Sequence, residues 1–280
     1  MKPVTEDFVL RKMHELPSLP KALTDVIHAI DRDNTDQRSL IMKLAQDQAV
    51  TTKTLRIANS SFYGLSYHVH SLSDAVSILG FRSLRALVMA TVVTNQIHHF
   101  DVDEHALEEL LNHSIQVAVY AQLLASHVHF LPEEAFTAGL IHDFGKLILL
   151  SEFPVAYAQV RALQAAQKIS LCEAEVCVLG MDHAQVGRLL AAHWHFPPEM
   201  QQAVGEHHLP VTPQTHLLSV LIQAANFLVR DEGSLPEKIL QLRRDEMIWT
   251  ILNLDDALLE DMQQKADAGF REIQNIWVQP

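Results

Sequence analysis

The sequence predicts an all-α protein, and three observations support this fold class. The chain of 280 residues contains only nine glycines, so few positions favour an interruption of regular structure. Apolar residues recur three and four positions apart through most of the chain, as they do on one face of a helix. No part of the sequence alternates apolar and polar residues over several consecutive segments, as the strands of a sheet would.

Helical patterns follow one another through the N-terminal third. In one of them, Leu19, Leu23 and Val26 fall on a single face. Gly80 is expected to end a short helix, because glycine readily adopts the left-handed conformation found at helix C-termini. The pattern after it is apolar nearly all round, so this helix is expected to be buried. The predicted helices of this part span residues 18–31, 37–47, 51–59, 74–79 and 83–97.

Capping signals mark the helices that follow. Pro132 suits the first turn of a helix, Ser170 and Glu173 have the spacing of a capping box, and Asp182 can cap the next helix. The predicted helices span residues 103–127, 132–150, 154–167, 183–193, 198–208, 213–229, 240–252 and 255–276. We therefore expect three regions: an N-terminal helical subdomain (1–100), a central helical domain (101–230) and a C-terminal helical appendage (231–280).

The net charge limits the classes of partner. The formal charge is −13, whereas non-specific nucleic-acid binding depends on lysines and arginines that neutralise phosphates, so we expect no nucleic-acid partner. No uncharged apolar run reaches the roughly 18 residues of a membrane span, and the acidic N-terminus does not resemble a signal peptide. We expect a cytoplasmic protein without a membrane partner. A phosphate-containing ligand would need local positive charge, for instance from metal ions.

The adjacent pair His142-Asp143 is the candidate centre of a metal site. Imidazole and carboxylate together suit Fe, Mn, Zn or Ni better than Ca or Mg. One pair does not make a site, and in helical bundles the other ligands come from separate helices. The candidates on other predicted helices are His113, His183, His207 and His208, with Asn226 as a further position. From spacing alone, the same histidines can also be capping or solvent-facing residues, and Lys146 a solvated lysine.

Four motifs in the first part of the chain resemble the HDOD family. They are LPSLP at 16–20, DQAVTTKTLRIANS at 47–60, FYG at 62–64 and LSDAVSILG at 72–80, in the order found in the family. The resemblance implies an HD-domain, phosphodiesterase-like helical bundle with an N-terminal helical subdomain, related to metal-dependent phosphohydrolases. It also implies a role in bacterial signalling, where many members lack some catalytic ligands and act by binding partners.

The same resemblance implies a role for each candidate residue of the central, HD-like region. The metal ligands of the HD pattern would be, in chain order, His113, His142, Asp143, His183 and His207 or His208. Lys146 fits the lysine that follows the pair in the HD-GYP group of cyclic-dinucleotide phosphodiesterases. The implied cofactor is one or two divalent metal ions.

Two departures from the catalytic pattern are visible. The Gly-Tyr-Pro tripeptide of the HD-GYP group is absent, and the final aspartate of the HD pattern aligns with Asn226. Asparagine offers a neutral carbonyl oxygen where aspartate offers a charged carboxylate. The metal held by His113, His142 and Asp143 would lose an anionic ligand, while the second position would keep its ligands. We therefore predict metal binding with lower affinity or altered stoichiometry.

Three functions are compatible with these residues. The leading one is a regulatory or scaffold module that docks a protein partner, with a structural, sensory or vestigial metal site. The second is a metal-dependent phosphohydrolase acting on a nucleotide or cyclic dinucleotide, in which Asp143 bridges the ions and Lys146 steadies a phosphate oxygen. The third binds a phosphorylated ligand without hydrolysing it. Asn226 separates the first from the second, and the sequence does not indicate the oligomeric state.

Overall fold

The computed structural model describes residues 5–15, 34–60, 68–96, 100–229 and 233–278, and the predicted helix at 18–31 lies outside them. Within these ranges the chain forms helices and no strand, which confirms the predicted all-α class. The helices are α1 (Glu6–Glu15), α2 (Asn34–Leu44), α3 (Gln48–Ala58), α4 (Leu72–Gln96), α5 (Glu104–His127), α6 (Pro132–Ile141), α7 (Gly145–Glu152), α8 (Pro154–Gln167), α9 (Leu171–Leu179), α10 (His183–His193), α11 (Pro198–Glu206), α12 (Leu217–Val229), α13 (Leu235–Leu242), α14 (Glu246–Ile251) and α15 (Asp256–Val278).

Local capping chemistry sets several of these boundaries. The Ser170 hydroxyl accepts a hydrogen bond from the Glu173 backbone N–H at 3.2 Å, and the Glu173 carboxylate accepts one from the Ser170 N–H at 2.8 Å. Asp182 caps α10 by accepting from the Gln185 N–H at 2.8 Å. Gly80, at φ 84° and ψ 163°, breaks α4 at the predicted point. These interactions satisfy backbone groups that a helix end leaves unpaired.

Two predicted C-terminal helices have different bounds in the structure. The helix predicted at 213–229 begins only at Leu217, and the segment predicted at 240–252 divides into α13 and α14. The division has a local cause, because the Asp245 carboxylate accepts a hydrogen bond from the Ile248 N–H at 3.1 Å and so starts a new helix.

Asn59 joins the end of α3 to the approach to α4. Its side-chain amide donates to the Val69 carbonyl at 2.8 Å, and its side-chain oxygen accepts from the Val69 N–H at 2.7 Å. The Asn59 side chain therefore pairs with both the N–H and the carbonyl of Val69, as the backbone of a neighbouring β-strand would. Part of the motif that resembles the HDOD family thus closes the connection between two helices.

Helix α5 lies at the centre of the packing and contacts α6, α12 and α15. One buried apolar cluster extends from Val9 in α1 to Ile273 in α15. The C-terminal helix packs back on α5, where the Gln274 amide donates to the Asn112 side-chain oxygen at 3.0 Å. No helix in the described part of the chain is both long enough and apolar enough to cross a membrane.

Candidate metal centre

The His142-Asp143 pair lies in a turn between α6 and α7, so the prediction of one continuous helix over 132–150 is wrong. The turn is closed by tight hydrogen bonds from the Phe144 N–H to the Ile141 carbonyl (3.1 Å) and from the Lys146 N–H to the Asp143 carbonyl (2.9 Å). Such three-residue spacing is typical of 3₁₀ geometry. His142 and Asp143 are 0% and 1% exposed, so both side chains face the interior.

Two glycines permit the close helix contacts that surround this turn. A Cβ on Gly145 would lie 1.9 Å from the His183 carbonyl oxygen, so only glycine fits where α7 meets α10. A Cβ on Gly139 would lie 2.7 Å from the Ala118 Cα, so α6 also lies against the backbone of α5. These contacts bring the helices that carry His113 and His183 to the turn.

The two oxygens of the Asp143 carboxylate face two different sets of imidazoles. Oδ2 lies 3.5 Å from Nε2 of His113 and 3.4 Å from Nε2 of His142. Oδ1 lies 3.2 Å from Nε2 of His183 and 3.5 Å from Nε2 of His207. We call these sets the Oδ2 half and the Oδ1 half of the centre. In each half the candidate ligand atoms lie within 4.8 Å of one another.

The remaining predicted residues complete the two halves. Asn226 belongs to the Oδ2 half, with its Oδ1 3.1 Å from Nε2 of His113. His208 extends the Oδ1 half, with its Nε2 3.0 Å from Nε2 of His183. The Lys146 ammonium lies 2.5 Å from Oδ2 of Asp143. The fold therefore brings together all eight predicted site residues, and both His207 and His208 lie at the centre.

In each buried imidazole, the Nδ1 atom forms a hydrogen bond with an acceptor outside the centre. Nδ1 of His142 donates to the Gly139 carbonyl at 2.7 Å, and Nδ1 of His207 donates to the Val204 carbonyl at 2.6 Å. Because carbonyl oxygens only accept, both rings carry their proton on Nδ1. Each neutral ring therefore presents the lone pair of Nε2 to the centre, as metal-binding histidines do.

Three inward-facing atoms are buried and form no hydrogen bond within the described chain. They are Oδ1 of Asp143, Nε2 of His142 and Nε2 of His207. Leaving one such polar atom unpaired typically costs about 1–3 kcal/mol, so three together require a ligand to compensate them. A divalent cation fits this requirement, because each atom supplies a lone pair.

The electrostatics keep His142, His207 and Asp143 in the protonation states that bind metal. Burial lowers the pKa of His142 well below its ordinary value and also lowers that of His207, so both rings stay neutral. Burial alone would raise the pKa of Asp143. The adjacent His142 imidazole and the Lys146 ammonium nevertheless hold that pKa well below its usual range, so the carboxylate stays ionised.

The sequence analysis did not identify Glu175 and Tyr157. The fully buried Glu175 carboxylate accepts from Nδ1 of His183 at 2.6 Å and from the His183 N–H at 2.9 Å. The Tyr157 hydroxyl donates to the other Glu175 oxygen at 3.0 Å. A carboxylate behind a metal-binding histidine fixes the ring and increases its basicity. The only signal in the sequence is an acidic residue among the apolar residues of α9.

A cleft of about 760 Å³ opens onto the centre and includes His113, Asp143 and Lys146 in its lining. Its wall from α8 carries Arg161, whose guanidinium carbon lies 5.8 Å from the centre of the Tyr157 ring. Acidic residues from the start of α5 and the segment before it also line this cleft: Asp101, Asp103 and Glu109. The cleft can therefore admit a small molecule and offers two cationic side chains to an anionic group.

Comparisons with known proteins identify the family and the fold of the chain. Residues 16–210 match the HDOD domain family. The fold is similar to the crystal structure of a candidate phosphohydrolase from Shewanella amazonensis SB2B, with a TM-score of 0.77, 26% identity, and coverage of 96% of this chain and 97% of that one. The chain shares this architecture along nearly its whole length.

Two curated relatives are similar over shorter stretches. An uncharacterised protein of Treponema pallidum (strain Nichols) is 25% identical over 224 residues, which cover 78% of this chain and 43% of that protein. The cyclic di-GMP phosphodiesterase CdgJ of Vibrio cholerae is 31% identical over 121 residues, which cover 40% of this chain and 27% of that enzyme. The matched region is therefore less than half the length of either curated relative.

Proposed function

Because the chain belongs to the HDOD family, we propose that it is a regulatory module of a bacterial signalling pathway that holds divalent metal at Asp143. The observation that carries the proposal is the set of three buried ligand atoms without a hydrogen-bond partner in the described chain. A cation beside Oδ1 of Asp143 and Nε2 of His207 would link the turn between α6 and α7 to α10 and to the residues after α11. Gain or loss of metal would then change how firmly these helices hold together.

Asn226 favours a regulatory role over turnover. Its neutral oxygen lies beside His113, at the position where the catalytic pattern has a carboxylate. A divalent ion in the Oδ2 half would therefore have one anionic ligand fewer, which weakens its binding.

We expect the partner to be a cytoplasmic protein with a basic surface. The formal net charge of −13 creates a field that attracts cationic surfaces and repels anionic ones.

Metal titration tests this proposal directly. We expect Mn²⁺ to bind the purified protein, and Asp143→Asn to weaken binding at least about tenfold, since it removes the only anionic ligand that both halves share. His105→Ala is the matched control, because His105 lies on α5 like His113 but is exposed at the helix start. A folded protein that binds no divalent metal would contradict the proposal, as would equal affinities of the wild type and Asp143→Asn.

Phosphodiester hydrolysis is the second candidate function. The cleft favours it, because Lys146 and Arg161 in its lining offer two positive charges to a phosphate group. Bound metal would supply a Lewis acid and lower the pKa of an attacking water. Lys146 and Arg161 would bind phosphate oxygens, and the substrate would be a nucleotide or cyclic dinucleotide, in line with the name of the relative from Vibrio cholerae.

A turnover screen with Mn²⁺-loaded protein separates the two candidates. If the protein is an enzyme, Asp143→Asn abolishes turnover, and Arg161→Ala raises KM with little effect on metal affinity. Arg271→Ala is the control, because Arg271 is an exposed arginine on α15, outside the cleft lining. Metal binding without turnover of nucleotides or cyclic dinucleotides would favour the regulatory role.

A further inference from the structure

The two halves of the centre carry different charges. In the Oδ2 half, the Lys146 ammonium lies 2.5 Å from Oδ2 of Asp143 and neutralises that side of the carboxylate. The Lys146 side chain is 19% exposed, so this ion pair is largely shielded from water. A divalent ion bound to the same oxygen would lie close to a like charge.

Asn226 adds to this difference. Its oxygen is neutral and already lies 3.1 Å from Nε2 of His113. The Oδ2 half therefore contains one carboxylate oxygen, a lysine that neutralises it, and no second anion among the described residues. Nε2 of His142 has no hydrogen-bond partner in the described chain, but a single neutral nitrogen does not replace the missing charge.

The Oδ1 half has the opposite character. Oδ1 of Asp143 has no hydrogen-bond partner in the described chain, and Nε2 of His207 faces it with a free lone pair. The buried Glu175 carboxylate lies behind His183 and adds negative charge near this half. Together with His208, this half offers one carboxylate oxygen and three imidazoles, a four-ligand set of the size that Zn²⁺ and related ions use.

We infer that the centre takes one divalent ion, in the Oδ1 half, and that the Lys146 ammonium replaces a second ion in the Oδ2 half. This inference rests on the proposed function, because it assumes that metal binds at Asp143. It makes Lys146 and Asn226 together the determinants of metal stoichiometry.

Counting bound Mn²⁺ tests the inference, because Mn²⁺ binds weakly to stray surface histidines. We expect one equivalent on the wild type. The double variant Lys146→Met with Asn226→Asp should bind two, because it removes the competing cation and adds a carboxylate. The matched control is Lys265→Met with Asn275→Asp, two exposed changes on α15, which should leave the ratio at one.

Single histidine changes locate the ion even if the double variant does not fold. His208→Ala, at an exposed position, should weaken Mn²⁺ binding at least about tenfold, whereas His113→Ala should leave the affinity within about twofold. Two equivalents on the wild type, or loss of the ion in His113→Ala, would overturn the inference but not the proposed function. Absence of any bound ion on the folded wild type would overturn both.

Discussion

Single residues explain why the imidazoles of the centre are preorganised. His142 and His207 are fixed by carbonyl groups three residues earlier in the chain, while His183 is fixed by the distant carboxylate of Glu175. The sequence identified the histidines because the HD pattern contains them. It did not identify Glu175, since the contact depends on how α9 packs beside α10 and not on a local motif.

We predict that Glu175→Gln weakens metal binding by about 10–100-fold, because glutamine keeps the shape of the side chain but loses the charge behind His183. The measurement is a Mn²⁺ competition titration, with circular dichroism to check the fold. Glu173→Gln is the control, since Glu173 lies on the same helix but is exposed and only caps it. Equal affinities of the two variants would show that Glu175 does not tune the centre.

At the scale of elements, the turn between α6 and α7 positions the two central residues of the candidate metal centre, His142 and Asp143. The apolar pattern over 132–150 predicted one helix, because periodicity does not reveal a short turn of 3₁₀ type within an apolar run. Gly145 is the residue that could have indicated this turn. Its contact with His183 requires the backbones of α7 and α10 to touch, which sequence spacing alone cannot indicate.

Gly145→Ala is therefore expected to lower the free energy of unfolding by about 1–3 kcal/mol or more, because the new Cβ would overlap the His183 carbonyl. Chemical denaturation measures this change, and metal affinity should fall with it because His183 moves. In the control Gly205→Ala, the atoms nearest to the new methyl group belong to the flexible side chain of Arg188. Similar stabilities of the two variants would contradict the close contact.

The connection between α3 and α4 gives a second prediction at this scale. Asn59→Ala removes both hydrogen bonds to Val69 and leaves buried backbone groups unpaired, so we expect a loss of about 1–3 kcal/mol of stability. Asn275→Ala, at an exposed position on α15, should be nearly neutral. Chemical denaturation compares the two, and equal stabilities would mean that Asn59 does not close this connection.

At the scale of the whole molecule, one large buried apolar cluster connects the helices from α1 to α15. The sequence left open whether the helices after Gly233 pack back on the core or form a dimer surface, since their pattern does not distinguish the two. In the structure α15 packs on α5, the helix that also carries His113. The division into regions 1–100, 101–230 and 231–280 stays a prediction, and a shared core predicts that they unfold together.

Metal should consequently stabilise the molecule as one unit. With Mn²⁺ at about 100 times its Kd, we expect a gain of about 2.7 kcal/mol and a rise in Tm of roughly 5 °C. Differential scanning calorimetry should record one transition that moves as a whole, and Asp143→Asn should lose the shift. A second transition whose midpoint does not change with metal would contradict the cooperative unfolding of a shared core.

The central claim is that Asp143 binds a divalent metal ion, and crystals grown with Mn²⁺ test it most directly. Anomalous diffraction locates manganese without reference to any assumed ligand. We predict an anomalous peak beside Oδ1 of Asp143, between His183 and His207, in the wild type and no such peak in Asp143→Asn. A well-ordered wild-type structure without anomalous density at Asp143 would contradict the account.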